Sequence, residues 1–458
     1  MSGAMLFIKE DLKISEVQVE VLAGILNFCA LAGSLTAGRV SDWIGRRYTI
    51  VLASIIFLVG SLLMGFAPDY SILISGRCIA GIGVGYALMI APVYSAEISS
   101  PSHRGVLTSL PEICISLGIL LGYLANWAFA KLPLIYGWRV MLGICAVPSL
   151  FLIFGVFFMP ESPRWLVLQG RLADARGVMR KVSDSEDEAE ERLQGIKAAA
   201  GIDAGCNDDV VHAMRSLKGG KGVWKEIFLH PTPTVKRILF VAIGMHFLQH
   251  VTGIEAIVLY SPRIFKASGI DSKEKLLVVT VGVGFTKVLF ILVATCLLDR
   301  IGRRPLLLVS ISGMVASLCF VGVGLSAVSH SQEKTSWAVG LCVTGVFSFI
   351  SFFSIGLGPV TWVYTSEIYP LRLRAQAASL GVAVNRLTNA SMATSFISLY
   401  QAVTIAGAFF LFAGNALVAV FFFYFLCPET RGRPLEEVEK VFAHGWFQWK
   451  KERNSEGK

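Results

Sequence analysis

The sequence predicts an all-α membrane protein built from two related helical halves. Charge is scarce and clustered, uncharged stretches of helix-spanning length recur along the chain, and three charged motifs appear twice in the same order. Of 458 residues, 54% are hydrophobic and 16% are Asp, Glu, Lys or Arg. A soluble domain carries about a quarter charged residues, because its surface must face water. Mean hydropathy is +0.64. Buried helices of a large soluble protein would need polar faces that these stretches lack, and in lipid only helices or closed barrels satisfy their own backbone.

Taken in order, Met1–Ile8 (MSGAMLFI) is apolar but too short to span, and no basic stretch precedes it, so it is not a signal peptide. It reads as the outer end of a membrane helix. Segments near 18–38, 48–67, 71–94, 106–130 and 138–159 follow. Residues 48–76 hold a single charge, Asp69, residues 105–130 hold one, Glu112, and residues 140–160 hold none. GIGVG at 81–85 lies inside a segment, where small residues suit close helix packing. A polar stretch from about 166 to 236 comes next, with SDSEDEAEER at 183–192. It is predicted as a linker carrying short amphipathic helices; a kinase-regulated segment also fits, but a solvated charged loop is the simpler reading. Segments near 237–262, 276–298, 305–327, 337–364, 375–398 and 404–427 complete the set. Each stretch approaches the roughly 20 residues that cross a bilayer core. The expected regions are an N-terminal bundle over 1–165, a linker over 166–236, a C-terminal bundle over 237–430 and a tail over 431–458.

The halves are visible as a repeat. GRVSDWIGRR (38–47) recurs as LLDRIGRRP (297–305), pairing Asp42 with Asp299 and Arg46–Arg47 with Arg303–Arg304. YSAEIS (94–99) recurs as YTSEIY (364–369), pairing Glu97 with Glu367, and PESPRW (160–165) recurs as PETRGRP (428–434). The offsets are 257, 270 and 268 residues, nearly constant, as a duplicated unit requires. Parallel repeats about an axis along the membrane normal are a transporter design with the substrate site between them.

The formal charge of +9 raises nucleic acid as a partner, but its distribution argues against it. Counted on alternate sides, 29 Lys and Arg fall with loops 38–47, 95–105, 160–237, 299–305, 365–374 and the tail, and 8 on the other side. That asymmetry predicts that those loops and the C-terminus are cytoplasmic. The nine cysteines lie mostly in apolar segments without ligand spacing, so neither a metal site nor a disulfide framework is indicated. Neither a nucleophile–base pair nor a phosphate-binding glycine loop stands out, so no enzyme and no cofactor are expected.

Together the DxxGRR loops, PESPRW, PETRG, the YSAEIS/RG pair and Gln249–Gly253–Ile254 resemble the sugar porter family of the major facilitator superfamily, over almost the whole chain. LPEICISLGILLGY (110–123), IGLGPVTWVYTSEIYP (355–370) and GVAVNRLTNAS (381–391) look like its plant polyol and monosaccharide branch. The resemblance implies the major facilitator fold, two pseudo-symmetric six-helix bundles that rock around a central site, and proton symport of a polyol or monosaccharide. A monomer in the plasma membrane is expected. Gating and coupling are assigned to Asp42, Arg46, Arg47, Arg77, Glu97, Arg104, Glu161 and Arg164, and to Asp299, Arg303, Arg304, Glu367, Arg374, Glu429 and Arg431. These acids and bases are expected to pair across the two bundles when the cytoplasmic side is closed, and to meet helix dipoles.

Ionisable groups inside a membrane are costly, so their default reading is functional. Glu112 occupies a family glutamine position, Gln249–His250 replace paired glutamines, and Glu255 and Lys287 stand at asparagine positions. Trp362, Asn385 and Asn389 match the family directly, and Arg386 replaces a tryptophan. Amides and carboxylates read adjacent hydroxyls, while an indole packs against a C–H face. Lys287 and Arg386 fit equally as ligands or as counter-ions for Glu112 and Glu255. Tyr260 is a candidate outer gate, and His246 a packing residue near the site.

The family's proton symporters carry an aspartate in the first helix, before the segment matching MSGA, paired with the arginine that is Arg77 here. The chain is therefore expected to hold eleven full spans and a remnant of the first. Either the sequence lacks an upstream segment, the preferred reading, or the protein is a variant in which Glu112 accepts the proton. An uncoupled facilitator is the nearest rival, and a sugar sensor a rival of a different class.

Overall fold

A computed structural model describes residues 3–99, 104–199, 202, 231–270, 272–330, 336–369, 373–431 and 441–442. These fold as helices without a strand among the described residues. The first half comprises α1 (Ala4–Leu12), α2 (Glu16–Ile44), α3 (Arg46–Gly65), α4 (Tyr70–Ile98), α5 (Arg104–Phe129), α6 (Leu134–Gly143) and α7 (Ala146–Val156). Three short helices follow, α8 (Pro163–Leu168), α9 (Leu172–Val182) and α10 (Glu186–Ala199). The second half comprises α11 (Pro233–Val251), α12 (Ile254–Ala267), α13 (Lys273–Ile301), α14 (Arg303–His330), α15 (Ser336–Ile355), α16 (Leu357–Ile368), α17 (Arg374–Val403) and α18 (Ile405–Leu426).

Ten stretches among the described residues are long and apolar enough to cross a membrane: α2, α3, α4, α5, α6 with α7, α11 with α12, α13, α14, α15 with α16, and α18. The eleventh expected span is α17. It is 30 residues long, but Asn385, Arg386, Asn389 and a run of Ser and Thr lower its hydropathy. Helix starts follow local chemistry. Ser15 and Gln18 form a reciprocal capping box at α2, while Asp69, Ser162 and Thr232 accept first-turn N–H groups at α4, α8 and α11.

Two spans are broken, at three points, where the sequence forces it. Gly253 adopts φ +90° between α11 and α12. Within α12, Tyr260 leaves helical geometry two residues before Pro262. Gly356, at φ −131° and ψ −77°, separates α15 from α16. Such kinks open the backbone ladder at defined points.

Within the first half, α4 lies against α2 and α3, and GIGVG makes that approach feasible. A Cβ on Gly81 or Gly85 would stand 2.3 and 2.2 Å from the Leu26 and Ala30 carbonyl oxygens of α2, and one on Gly83 would meet α3. The halves meet along α2 with α17 and α5 with α13. Helices α8–α10 enclose a small core of their own around Leu166, Leu172, Met179 and Leu193. Phe151, Phe154 and Phe158 project outward with more than half their surface exposed, which fits a surface that faces lipid rather than water.

Candidate functional site

At the basic face, the repeated motifs build the same construction twice. The Arg46 guanidinium donates to Glu97 at 3.1 and 3.3 Å and to Asp42 at 2.9 Å. The backbone N–H groups of Arg46 and Arg47 donate to Glu161 at 2.9 and 3.2 Å, so this carboxylate sits on the positive end of α3. Arg47 itself caps the end of α7 through the carbonyls of Val156 (3.0 Å) and Phe157 (2.7 Å). In the second half, Arg303 donates to Glu367 at 2.9 Å, and the Arg303 and Arg304 N–H groups donate to Glu429 at 3.0 Å each. Arg304 caps Tyr424 at 2.8 Å. The hydroxyls of Tyr94 and Tyr364 donate to the Pro160 and Pro428 carbonyls, and those of Ser162 and Thr430 to Glu97 and Glu367.

Each of these bonds lies within one half, since every copy of the repeat carries acid, base and helix N-terminus together. Arg164 enters none of these bonds, and Arg431 contributes a backbone N–H to Glu429 at 3.0 Å. The side chains of Arg104, Asp299 and Arg374 lie outside the described residues.

Midway through the molecule the structure gathers a second polar cluster. Lys287 of α13 lies 3.7 Å from Glu112 of α5, linking the halves, and both are less than a tenth exposed. Glu255, in the first turn of α12, lies 3.4 Å from His250. Asn385 donates to Gln249 at 2.8 Å, and Gln249 donates to the carbonyls of Leu357 (3.3 Å) and Gly358 (3.2 Å) at the break before α16. Arg386 donates to Asn385 at 3.0 Å and, across the halves, to Asn27 of α2 at 3.3 Å. Lys287 and Arg386 both lie within electrostatic reach of Glu112 and Glu255. Trp362 meets the edge of His246 at 5.1 Å between ring centroids.

Two carboxylates and two fixed cations leave this cluster near charge balance, while amides, hydroxyls and imidazoles offer both donors and acceptors. His250 Nε2, Asn389 Oδ1 and Ser116 Oγ are buried without a hydrogen bond among the described residues, while His250 Nδ1 faces Glu255. Buried polar atoms are rarely left so. Such an array fits a neutral solute rich in hydroxyls.

Tyr260 is buried and donates to Ala393 at 2.7 Å, a bond inside the second half. Arg77 donates to the carbonyls of Leu22 (3.2 Å) and Ala23 (3.4 Å), and among the described residues forms no ion pair with a carboxylate. Sequence reasoning missed the contacts that join the halves away from the basic face. Arg263 pairs with Glu16 at 3.0 Å, and Glu16 also bonds Lys9. Glu20 accepts from the Ser398 N–H (3.0 Å) and hydroxyl (3.1 Å), and Tyr123 donates to the Val258 carbonyl at 2.7 Å. An acid in the first turn of a span, with an arginine just after a helix proline, was the available signal. Nearer the basic face, Ser379 donates to the Ser34 carbonyl at 3.3 Å. The halves thus touch on both sides of the central cluster.

Two bundles enclosing a polar centre at mid-depth define a multi-pass membrane transporter. The chain matches the family described as "Sugar (and other) transporter" over residues 6–442, and it belongs to that family. Over 442 residues it is 61% identical to "Probable polyol transporter 6" of Arabidopsis thaliana, covering 96% of this chain and 90% of the relative. "Polyol transporter 5" of the same plant is 56% identical over 450 residues, covering 98% and 83%. The fold is that of the major facilitator superfamily. The proton:xylose symporter XylE bound to 6-bromo-6-deoxy-D-glucose superposes with a TM-score of 0.81 at 24% identity, over 96% of this chain and 94% of that one.

Proposed function

We propose that the protein moves a linear polyol, or a monosaccharide of similar size, by alternating access of the two halves around the central cluster. The observation that carries this reading is the set of buried, unbonded polar atoms on His250, Asn389 and Ser116 beside the charge-balanced Glu112, Glu255, Lys287 and Arg386. The substrate hydroxyls complete those valences, and a solute lacking one hydroxyl leaves a buried partner unsatisfied. The names of the plant relatives support a polyol. The basic face is cytoplasmic, by its excess of Lys and Arg. The halves 1–165 and 237–430 act as the moving units, joined by 166–236, in a monomer of the plasma membrane.

Transport is coupled to protons, with Glu112 as an acceptor. Its partner Lys287 is close enough to stabilise the anion, and protonation of Glu112 would release that tie between the halves. One proton entering down about 100 mV supplies about 2.3 kcal/mol. That sustains roughly fifty-fold accumulation. The specific alternative is an uncoupled facilitator, favoured by Arg77 being held on backbone carbonyls. A competition panel of sorbitol, mannitol, xylitol, myo-inositol and glucose in a transport-null host tests the substrate. Coupling predicts alkalinisation of the medium when substrate is added, abolished in Glu112→Gln. Uptake without alkalinisation establishes the facilitator, and no uptake of any of the five overturns the substrate assignment.

A further inference from the structure

Between α9 and α10 the chain turns at Ser183, Asp184 and Ser185. Arg192, on α10, reaches back over this turn. One nitrogen of its guanidinium donates to the Ser183 hydroxyl at 3.1 Å, and another donates to the carbonyls of Ser99 (2.8 Å) and Ile98 (3.2 Å) at the end of α4. A single fork therefore fastens α10 to the span that carries Arg77 and Glu97. Around it, Arg176 faces Glu190 at 3.8 Å and Arg180 faces Glu186 at 3.6 Å. Ser183 is half-exposed, and Arg180, three residues before it, is more than half exposed. Arginine at that spacing is the determinant read by basic-directed serine/threonine kinases.

We propose that Ser183 is a phosphorylation site whose phosphate takes Arg192 away from α4. The Ser183 oxygen attacks the γ-phosphorus of ATP, the bond to the β–γ bridging oxygen breaks, ADP leaves, and the hydroxyl proton passes to the kinase. The product carries close to two negative charges and three strong acceptors within reach of a guanidinium that now serves the carbonyls of Ile98 and Ser99 and stands 3.9 Å from Glu188. The guanidinium meets a partial charge on a carbonyl but a full, bidentate anionic partner on a phosphate, so Arg192 turns to the phosphate and α10 loses its fastening to α4.

The test uses the full chain in lipid nanodiscs, where both faces are reachable, so its outcome does not depend on which face is cytoplasmic. After incubation with ATP and a basic-directed kinase, mass spectrometry should place phosphate on Ser183, and Ser183→Ala should remove it. Amide exchange across 186–199 should then quicken roughly tenfold, the loss expected for one charge-assisted bond. Arg192→Gln should show that fast exchange without phosphate, and phosphorylation should add nothing to it. The proposal is overturned if a peptide spanning 178–188 is labelled while the folded chain is not. Unchanged exchange of the phosphorylated protein overturns it too, as does an Arg192→Gln protein that still responds. Labelling of inside-out but not right-side-out vesicles bears separately on the orientation proposed above.

Discussion

Glu112 and Lys287 meet in a place where each is worth keeping charged only because the other is there. Removing one partner of a buried pair leaves an uncompensated ion and costs about 3–5 kcal/mol, whereas replacing both with apolar groups is often neutral. Glu112→Gln alone should therefore lower the thermal midpoint of the purified protein more than the double variant Glu112→Gln/Lys287→Met. Both should lose gradient-driven accumulation. Equal or additive destabilisation in the double variant would show that the two do not act as a pair. A second prediction concerns Gly45 and Gly302. They hold φ +98° and +101° with ψ near 166°, a region that costs residues other than glycine about 1–3 kcal/mol. Their added Cβ would also stand 2.5 and 2.9 Å from Glu161 and Glu429 oxygens. Gly45→Ala and Gly302→Ala should each reduce the folded yield, measured by size-exclusion chromatography. Glu161→Ala should not restore Gly45→Ala, because the backbone strain remains after the contact is gone.

Gln249 ties α11 to the break between α15 and α16, with Asn385 of α17 as its other partner. Gln249→Leu removes two donations to the Leu357 and Gly358 carbonyls and the acceptor for Asn385. It should raise the KM for substrate about tenfold through the loss of one to two net hydrogen bonds, read from concentration-dependent uptake. An unchanged KM would separate the α16 break from the site. The break itself was legible in the sequence, because Gly356, Gly358 and Pro359 advertise it within a few residues. The close α2–α4 approach was legible in GIGVG for the same reason, and the repeat because duplication writes itself twice. Pairing was not. Glu161 serves the N–H of Arg46 from 115 positions away, and nothing local tells whether an acid closes on its own half or the other. Asn27 and Glu20 escaped notice because one polar residue in an apolar stretch does not reveal which distant helix it faces. The polar character of α17 was readable residue by residue, yet only its place beside α2 shows why a span can be so polar.

At the scale of the whole molecule, the contacts on either side of the central cluster make opposite demands, and two substitutions can separate them. Near the basic face a Cβ on Gly38 would lie 3.1 Å from Ser379 Oγ, within the geometry a disulfide accepts. Gly38→Cys/Ser379→Cys, once oxidised, should hold the halves together there and lower uptake about tenfold or more, because rocking of one half against the other is the transport step. Reductant should restore it, and Ser379→Cys alone should be indifferent to oxidation. Away from the basic face, Arg263 and Glu16 are a quarter and two-fifths exposed. A partly solvated pair is worth at most about 1 kcal/mol. Arg263→Ala should therefore ease separation on that side by up to about fivefold, using 1.4 kcal/mol per tenfold. Thr394→Cys, beside Gly24 at the same seam, reports it: a membrane-impermeant thiol reagent should label it faster when Arg263 is Ala. If the cross-link leaves uptake intact while Arg263→Ala still speeds labelling, the halves open on one side without closing on the other, and the two-body rocking mechanism fails for this protein.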